Sequence, residues 1–220
     1  MECFFFTIIG RMKTIIWDYN GTILDDIDLC LDVEQFMLRE RGMFSEYSRE
    51  DYRELFCFPV IEYYKKLGYT FEHESYEQVS VEFNRLYDMG FPNCGLTEGV
   101  LDKIRESCQK GFRNVILSAC QHDKLLQQTE HLDIAKYFTE IMGIDNDLAG
   151  SKIEMAKSWM EQSDVNPSEC MFIGDSIHDM ETAQAIGVAD YLLVACGHQS
   201  FRVLSESTDR VVHTMHEVSF

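Results

Sequence analysis

The sequence predicts an α/β fold: a parallel sheet covered by helices on both faces, with an all-helical block inserted after the first strand. Two observations carry this expectation. From Thr97 onward, short β-branched or aliphatic runs alternate with single amphipathic helical patterns, as in a parallel sheet with helical crossovers. Between an isolated early strand and that alternating half, residues 25–92 keep helical spacing and carry hardly any strand signal.

The elements follow in order. Thr14 to Trp17 is too short for a helix, rich in β-branched residues, and ends at Asp18 just ahead of the Asn20-Gly21 turn signal, so it reads as a buried strand. Asp25 and Asp26 are the expected N-caps of a helix to about Arg41, with Leu29, Val33, Phe36 and Met37 on one stripe and Gly42 as terminator. Ser48 caps a segment through Phe56, and Pro59 opens Val60 to Leu67, which Gly68 ends. Ser75 opens a helix in which Tyr76, Val79, Phe83, Leu86 and Tyr87 keep helical spacing. In the second half a helix bearing Val100, Leu101, Ile104 and Cys108 precedes the strand Asn114 to Leu117. A helix around Leu125 to Leu132, a short strand near Glu140 to Met142 and a helix from Ser151 to Met160 come next. The strand Cys170 to Ile173, a helix from His178 to Ile186, the strand Tyr191 to Ala195 and a final Val211-Val212 complete the series. The expected division is therefore a sheet core of residues 12–24 and 93–220 and a helical insert of residues 25–92. Met12 stands directly before the first strand, so residues 1–11 read as an N-terminal extension from an upstream start.

Composition narrows the function. With 220 residues, 45% of them hydrophobic, the chain can bury the core of one large domain carrying a smaller insert. Lys and Arg total 19 against 38 Asp and Glu, a formal charge of -19 that repels nucleic-acid phosphates and anionic lipids. No run approaches the ~20 apolar residues of a membrane-spanning helix, so neither nucleic acid nor membrane is an expected partner. The same field repels a phosphate substrate, and a phosphate site here needs a bound cation or a local lysine. Eight cysteines are scattered without a Cys-x-x-Cys pair, mostly in apolar segments, which reads as reduced core thiols in a cytoplasmic protein. The apolar run at Phe4 to Ile9 lacks the preceding basic residue and the cleavage site of a signal peptide. The oligomeric state is left open.

Four polar positions fall at strand ends or at the start of the adjoining helix. Asp18 closes the first strand, Ser118 follows Leu117, Lys152 opens a helix after Gly150, and Asp175 follows Gly174 with Asp179 four residues on. Such ends are where open α/β sheets hold their ligands. Taken singly, these are an ordinary turn, a strand-end serine, a solvated first-turn lysine and a helix cap; their joint register is much more specific. Asp18-Tyr19-Asn20-Gly21-Thr22-Ile23-Leu24 with Ser118, Lys152, Asp175 and Asp179 resembles the four motifs of the haloacid dehalogenase (HAD) superfamily, in order and over nearly the whole chain from Met12. The usual phosphatase form of the first motif is Asp-x-Asp-Gly-Thr, and here Asn20 replaces the second aspartate. The helical insert occupies the cap position of the phosphoglycolate phosphatase and β-phosphoglucomutase branch.

The resemblance implies a Rossmann-like core and a Mg²⁺-dependent phosphatase acting on a small phosphorylated metabolite. Asp18 would be the nucleophile that forms an aspartyl phosphate, and Asp18, Asp175, Asp179 and the backbone carbonyl of Asn20 would hold the Mg²⁺. Ser118, the amide of Ala119 and Lys152, with Gly21 and Thr22 of the first motif, would hold the phosphate. In relatives the residue at the Asn20 position exchanges the proton of the leaving group, which asparagine cannot do. Two readings follow: a phosphatase, or a phosphoester-binding protein with little turnover. The insert's basic residues Arg39, Arg41, Arg53, Lys65, Lys66 and Arg85 are candidate substrate selectors. His198, past a strand end, is a candidate for orienting substrate, whereas His178 reads as a helix-start side chain, Tyr63, Tyr64 and Tyr76 as insert core or rim, and Cys120 as packing.

Overall fold

The computed structural model describes residues 13–146 and 152–220, and the expected extension at residues 1–11 lies outside them. The first strand, β1 (Thr14–Trp17), is buried along its whole length, and that burial on both faces is why it reads as an unbroken apolar run. It sits in the middle of a six-stranded sheet with β4 (Arg113–Gln121), β5 (Glu140–Ile144), β6 (Cys170–Gly174), β7 (Asp190–Val194) and β8 (Val211–Val212). The order is β5-β4-β1-β6-β7-β8 and every pairing is parallel. Helices α5 (Val100–Gln109), α6 (His122–His131), α7 (Ile153–Gln162), α8 (Ile177–Ala185) and α9 (Phe201–Ser205) make the crossovers. This is the expected α/β architecture with a Rossmann-like core.

Apolar clusters cover both faces of the sheet. Ile15, Trp17, Ile116, Met171 and Ile173 face one way, toward Val100 and Ile104 of α5. Ile16, Val115, Leu117 and Phe172 face the other, toward Ala156 and Trp159 of α7 and Ala183 of α8. The alternation of neighbouring strand residues between the clusters is the two-residue period of a strand. Asn114, a buried polar residue within this packing, is matched: its Oδ1 accepts from the Trp17 indole at 2.9 Å and from Ser107 at 2.7 Å.

The insert consists of α1 (Ile27–Glu40), α2 (Arg49–Leu55), α3 (Val60–Lys66) and α4 (Tyr76–Gly90). Its boundaries follow local chemistry. Ser48 and Ser75 each form a capping box, with Asp51 and Gln78 respectively. Gly42, at φ +65°, ends α1 with its amide on the Arg39 carbonyl and the Met43 amide on Leu38, the paired bonds of a Schellman stop. Val33, Met37, Leu38, Tyr64, Tyr69 and Val79 form a separate apolar cluster among these helices.

Four details depart from expectation. A two-stranded antiparallel ribbon, β2 (Leu24–Asp25) with β3 (Gly95–Leu96), joins insert to core. Two residues per strand are too few to leave a period in the sequence. Strand β4 runs on to Gln121, through a register shift against β5 between Leu117 and Gln121. Helix α7 begins at Ile153 with Lys152 as its cap residue, and the expected start at Ser151 falls outside the described residues. Asp26 occupies the N-cap position of α1 but makes no capping bond, because its carboxylate is engaged elsewhere.

Candidate active site

The carboxyl ends of β1, β4 and β6 meet the insert around a cavity of about 160 Å³, lined by Asp18, Asn20, Ser118, Ala119, Lys152, Asp175 and Asp179 among others. Asp18 is positioned by β1, whose run continues until its amide bonds to the Ile173 carbonyl at 2.8 Å. The chain then turns sharply at Gly21, where φ is +74°. A side chain at Gly21 would collide with the carboxylate of Asp175 and come within 2.6 Å of the His198 ring. Thr22 is fully buried and donates to Asp175 Oδ1 at 2.9 Å, tying the first strand's turn to the loop after β6.

Lys152 is buried between two carboxylates. Its ammonium donates to Asp18 Oδ1, to Asp179 Oδ1 at 2.6 Å and to the Leu117 carbonyl at 3.1 Å. Burial alone would lower the Lys152 ammonium, but Asp179 and Asp18 outweigh it and raise it. Asp179 Oδ2 accepts from the amides of Asp175 and Ser176 and from the Ser176 hydroxyl, at 3.1, 2.9 and 2.7 Å. Burial works against the charged form of Asp179, yet Lys152 and these donors hold it below the usual carboxylate range. Ser118 lies where the β4 register shifts, and its hydroxyl accepts from the Cys120 amide at 3.0 Å.

Asp18, Asp175 and Asp179 are all buried, and one carboxylate oxygen of each lies within 4.8 Å of the others. One ammonium faces these three carboxylates. Burial, and then Asp179, pushes Asp18 well above the usual carboxylate range despite Lys152, and burial moves Asp175 up to about 6. Excess buried negative charge on hard oxygen donors fits a small divalent cation. Among the described residues no hydrogen bond reaches Asp18 Oδ2.

A second group of residues adjoins the first, and sequence reasoning read only part of it. Asp26 Oδ2 accepts from the Asn20 amide at 2.8 Å and from the Tyr87 hydroxyl at 2.7 Å, while Oδ1 accepts from the Gly21 amide at 3.0 Å. Asn20 also donates to the Tyr87 oxygen at 3.1 Å. His198 pairs its Nε2 with Asp26 Oδ1 at 3.3 Å, meets the Tyr52 hydroxyl at Nδ1 at 2.7 Å, and donates its backbone amide to Asp175 Oδ2 at 2.6 Å. Burial opposes the imidazolium, but Asp26 followed by Asp175 raises His198 to about 9, and in return His198, Tyr87 and Asn20 hold Asp26 low against its burial. Asp26 is thus a buried bracket for the first motif and not the helix cap its position implied. Its partners Tyr87 and His198 lie far along the chain, so local pattern carried no sign of them.

Other candidates fall into place. His178 lines the cavity, stacked on Phe58 with ring centroids 4.7 Å apart, and burial lowers it toward the neutral imidazole. Tyr64 and Tyr76 line the cavity, and Tyr63 lies behind it in the core. None of the six basic residues proposed as selectors lines the cavity. Arg41 is bound to Glu74 at 2.6 Å and Glu82 at 2.5 Å, Lys65 to Glu62 at 2.7 Å, and Lys66 to the Leu55 carbonyl at 3.0 Å. Arg53 instead clamps α2 to the loop after β7, through the carbonyls of Ala195, Gly197 and Gln199.

Comparison with known proteins agrees with this geometry. The chain is similar to the pyrophosphatase PpaX of Listeria monocytogenes, 23% identical over 182 residues and 80% of each chain. It is also similar to the phosphoglycolate phosphatase of Vibrio parahaemolyticus, 24% identical over 216 residues and 94% of each. Its fold matches Protein Tyrosine Kinase A of Mycobacterium tuberculosis with a TM-score of 0.76 over 94% of this chain and 97% of that one, at 20% identity. That last likeness concerns the fold alone. The family model for haloacid dehalogenase-like hydrolases matches residues 15–192, a span holding Asp18, Ser118, Lys152, Asp175 and Asp179, and the chain belongs to that family.

Proposed function

We propose that this protein is a phosphatase that hydrolyses a small phosphate monoester through an aspartyl phosphate on Asp18. The observation that carries the reading is the setting of Asp18. It closes the central strand at the cavity, with the Lys152 ammonium on one oxygen and no hydrogen bond to the other among the described residues. In the reaction Asp18 attacks phosphorus as the ester oxygen leaves. Water then attacks the phosphorus of the aspartyl phosphate, releasing inorganic phosphate and restoring the carboxylate. Lys152, the Ser118 hydroxyl and the Ala119 amide hold phosphate oxygens, and Gly21 lets the turn approach closely while Thr22 fixes Asp175.

Asp18, Asp175 and the Asn20 carbonyl would hold a Mg²⁺, with Asp179, whose oxygens already accept from Lys152, Asp175 and Ser176, completing the site or supporting it. When bound, the ion neutralises the charge that a carboxylate and a phosphate dianion bring together. Residues 12–24 and 93–220 serve as the catalytic core and residues 25–92 as a cap that closes over it and excludes water. The phosphatase names of the Vibrio and Listeria relatives support the activity class. The free thiols of the seven described cysteines support a cytoplasmic setting, and among the described residues no helix is long and apolar enough to cross a membrane.

Phosphate release from a panel of metabolite esters, with Mg²⁺ and with chelator, tests this reading. Turnover that needs the metal and vanishes in Asp18→Asn supports it. One observation favours a second reading, a phosphoester-binding protein with little turnover: the Asn20 amide is spent on Asp26 and Tyr87 and has no proton to exchange. Saturable ester binding without release would establish that alternative.

A further inference from the structure

Away from the reacting groups the cavity runs between the four insert helices, and its wall there has an unusual charge. No lysine or arginine of the insert lines it. Among the described residues the cationic side chains of Lys or Arg type on the cavity are Lys152 and Lys124, and Lys124 lies 3.1 Å from the Asp88 carboxylate. The acidic side chain that α1 contributes is Glu34, only 4% exposed. The hydroxyls of Tyr47 and Tyr63 both donate to its Oε2, at 2.9 and 2.5 Å, and among the described residues no hydrogen bond reaches Oε1. Tyr52, Phe56, Tyr64, Tyr76 and Phe83 line the same part of the cavity.

A carboxylate oxygen without a donor among the described residues, on a side chain that lines the cavity among aromatic rings, is the chemistry that recognises an organic cation. The carboxylate supplies the counter-charge and the ring faces attract the ammonium without competing hydrogen bonds. A carboxylate or second phosphate on the leaving group would meet Glu34 with no lysine or arginine of the insert on the cavity to compensate it. A purely apolar group would leave Oε1 desolvated and unpaired. Burial pushes this carboxyl up to about 8, and a neighbouring ammonium favours its charged form.

Resting on the phosphatase reading, we propose that Glu34 and the aromatic wall around it form a subsite for an ammonium group on the leaving alcohol, so that the substrate is the phosphate ester of an amino or quaternary-ammonium alcohol. This choice differs from the anionic substrates named for the Listeria and Vibrio relatives.

The direct test compares choline phosphate with its carbon isostere, in which a tert-butyl group replaces the trimethylammonium, on the wild-type enzyme. The two share shape and differ in charge. We expect kcat/KM for the cation to exceed that for the isostere by about tenfold or more, with phosphoglycolate below both. In Glu34→Gln the cation-to-isostere ratio should fall about tenfold, and in Tyr64→Leu it should fall to a lesser degree. Equal rates for the two esters in the wild type, or a ratio unmoved by Glu34→Gln, would overturn the proposal. Calorimetry with choline chloride alone separates the two hypotheses. If no ester is hydrolysed, the phosphatase reading fails, whereas choline binding weakened by Glu34→Gln would still support the subsite and its absence would overturn it.

Discussion

Replacing Asn20 with aspartate should raise the rate on esters with poor leaving groups, and the structure sets the size of the effect. The Asn20 amide nitrogen lies 2.8 Å from Asp26 Oδ2, so Asn20→Asp brings a half-buried carboxyl face to face with the buried one of Asp26. Both cannot ionise at that separation, and the pair retains one proton with a raised apparent pKa. That proton is the general acid the wild-type residue lacks. General acid–base catalysis contributes roughly 10²- to 10⁴-fold, or about 3 to 5 kcal/mol of barrier. The His198 imidazolium beside Asp26 Oδ1, at 3.3 Å, limits how far the shared proton's pKa can rise. The expectation is therefore at the lower end: at least tenfold in kcat on alkyl phosphates, with aryl phosphates, which leave without protonation, nearly unchanged. The lost donation to Asp26 and Tyr87 should cost about 1–3 kcal/mol of stability, which a thermal melt will register without loss of the fold. Phosphate release with saturating Mg²⁺ on a matched alkyl and aryl series is the assay. An equal gain on both series, or none on alkyl esters, would refute the assignment of Asn20 to the leaving-group side.

Other substitutions probe the rest of the site. Lys152→Met leaves Asp18 and Asp179 buried without their ammonium, and should cost about 3–5 kcal/mol in chelator, more at pH 8 than at pH 5, as read by urea denaturation. Glu34 is raised from 4.5 to about 8 by burial against the help of Tyr63, Tyr47 and His198. Its folded form therefore holds a proton that the unfolded chain has lost. The stability this represents is full below about pH 4.5 and disappears as pH rises through 8, a loss on the order of a few kcal/mol. Stability curves of the wild type and Glu34→Gln should accordingly diverge across that window, the variant losing less, and parallel curves would contradict the assignment. Arg41→Ala should lower stability by about 1–2 kcal/mol through the lost Glu74 and Glu82 pairs while leaving the ranking of substrates as it was, because Arg41 lies off the cavity.

The sheet was legible because its strands are buried on both faces and its helices are not. Thr14 to Trp17 and Cys170 to Ile173 announce themselves as short β-branched or aliphatic runs between turn residues, and the groups following them had to converge once the strands were parallel. Asp26 was misread because an aspartate before an amphipathic run is the ordinary sign of a helix cap. Its true partners, Tyr87 and Gly21, include one 61 residues away, which no local pattern encodes. No pattern in the sequence marks Glu34, whose burial comes from the packing of Tyr47 and Tyr63 over it. The insert's arginines and lysines were plausible selectors by composition, but none of the six lines the cavity, and acidic residues or carbonyls claim Arg41, Arg53, Lys65 and Lys66. In so acidic a chain, surface cations find partners close by.

The central claim is that Asp18 carries the phosphoryl group. Acid quenching of the enzyme during turnover, followed by borohydride reduction and peptide mass spectrometry, reads this directly. The account predicts homoserine in place of aspartate at position 18 in the quenched wild type and at no other carboxylate, with none formed in chelator. Phosphate release without any modification at that position, or modification at Asp175 or Asp179 instead, would contradict it.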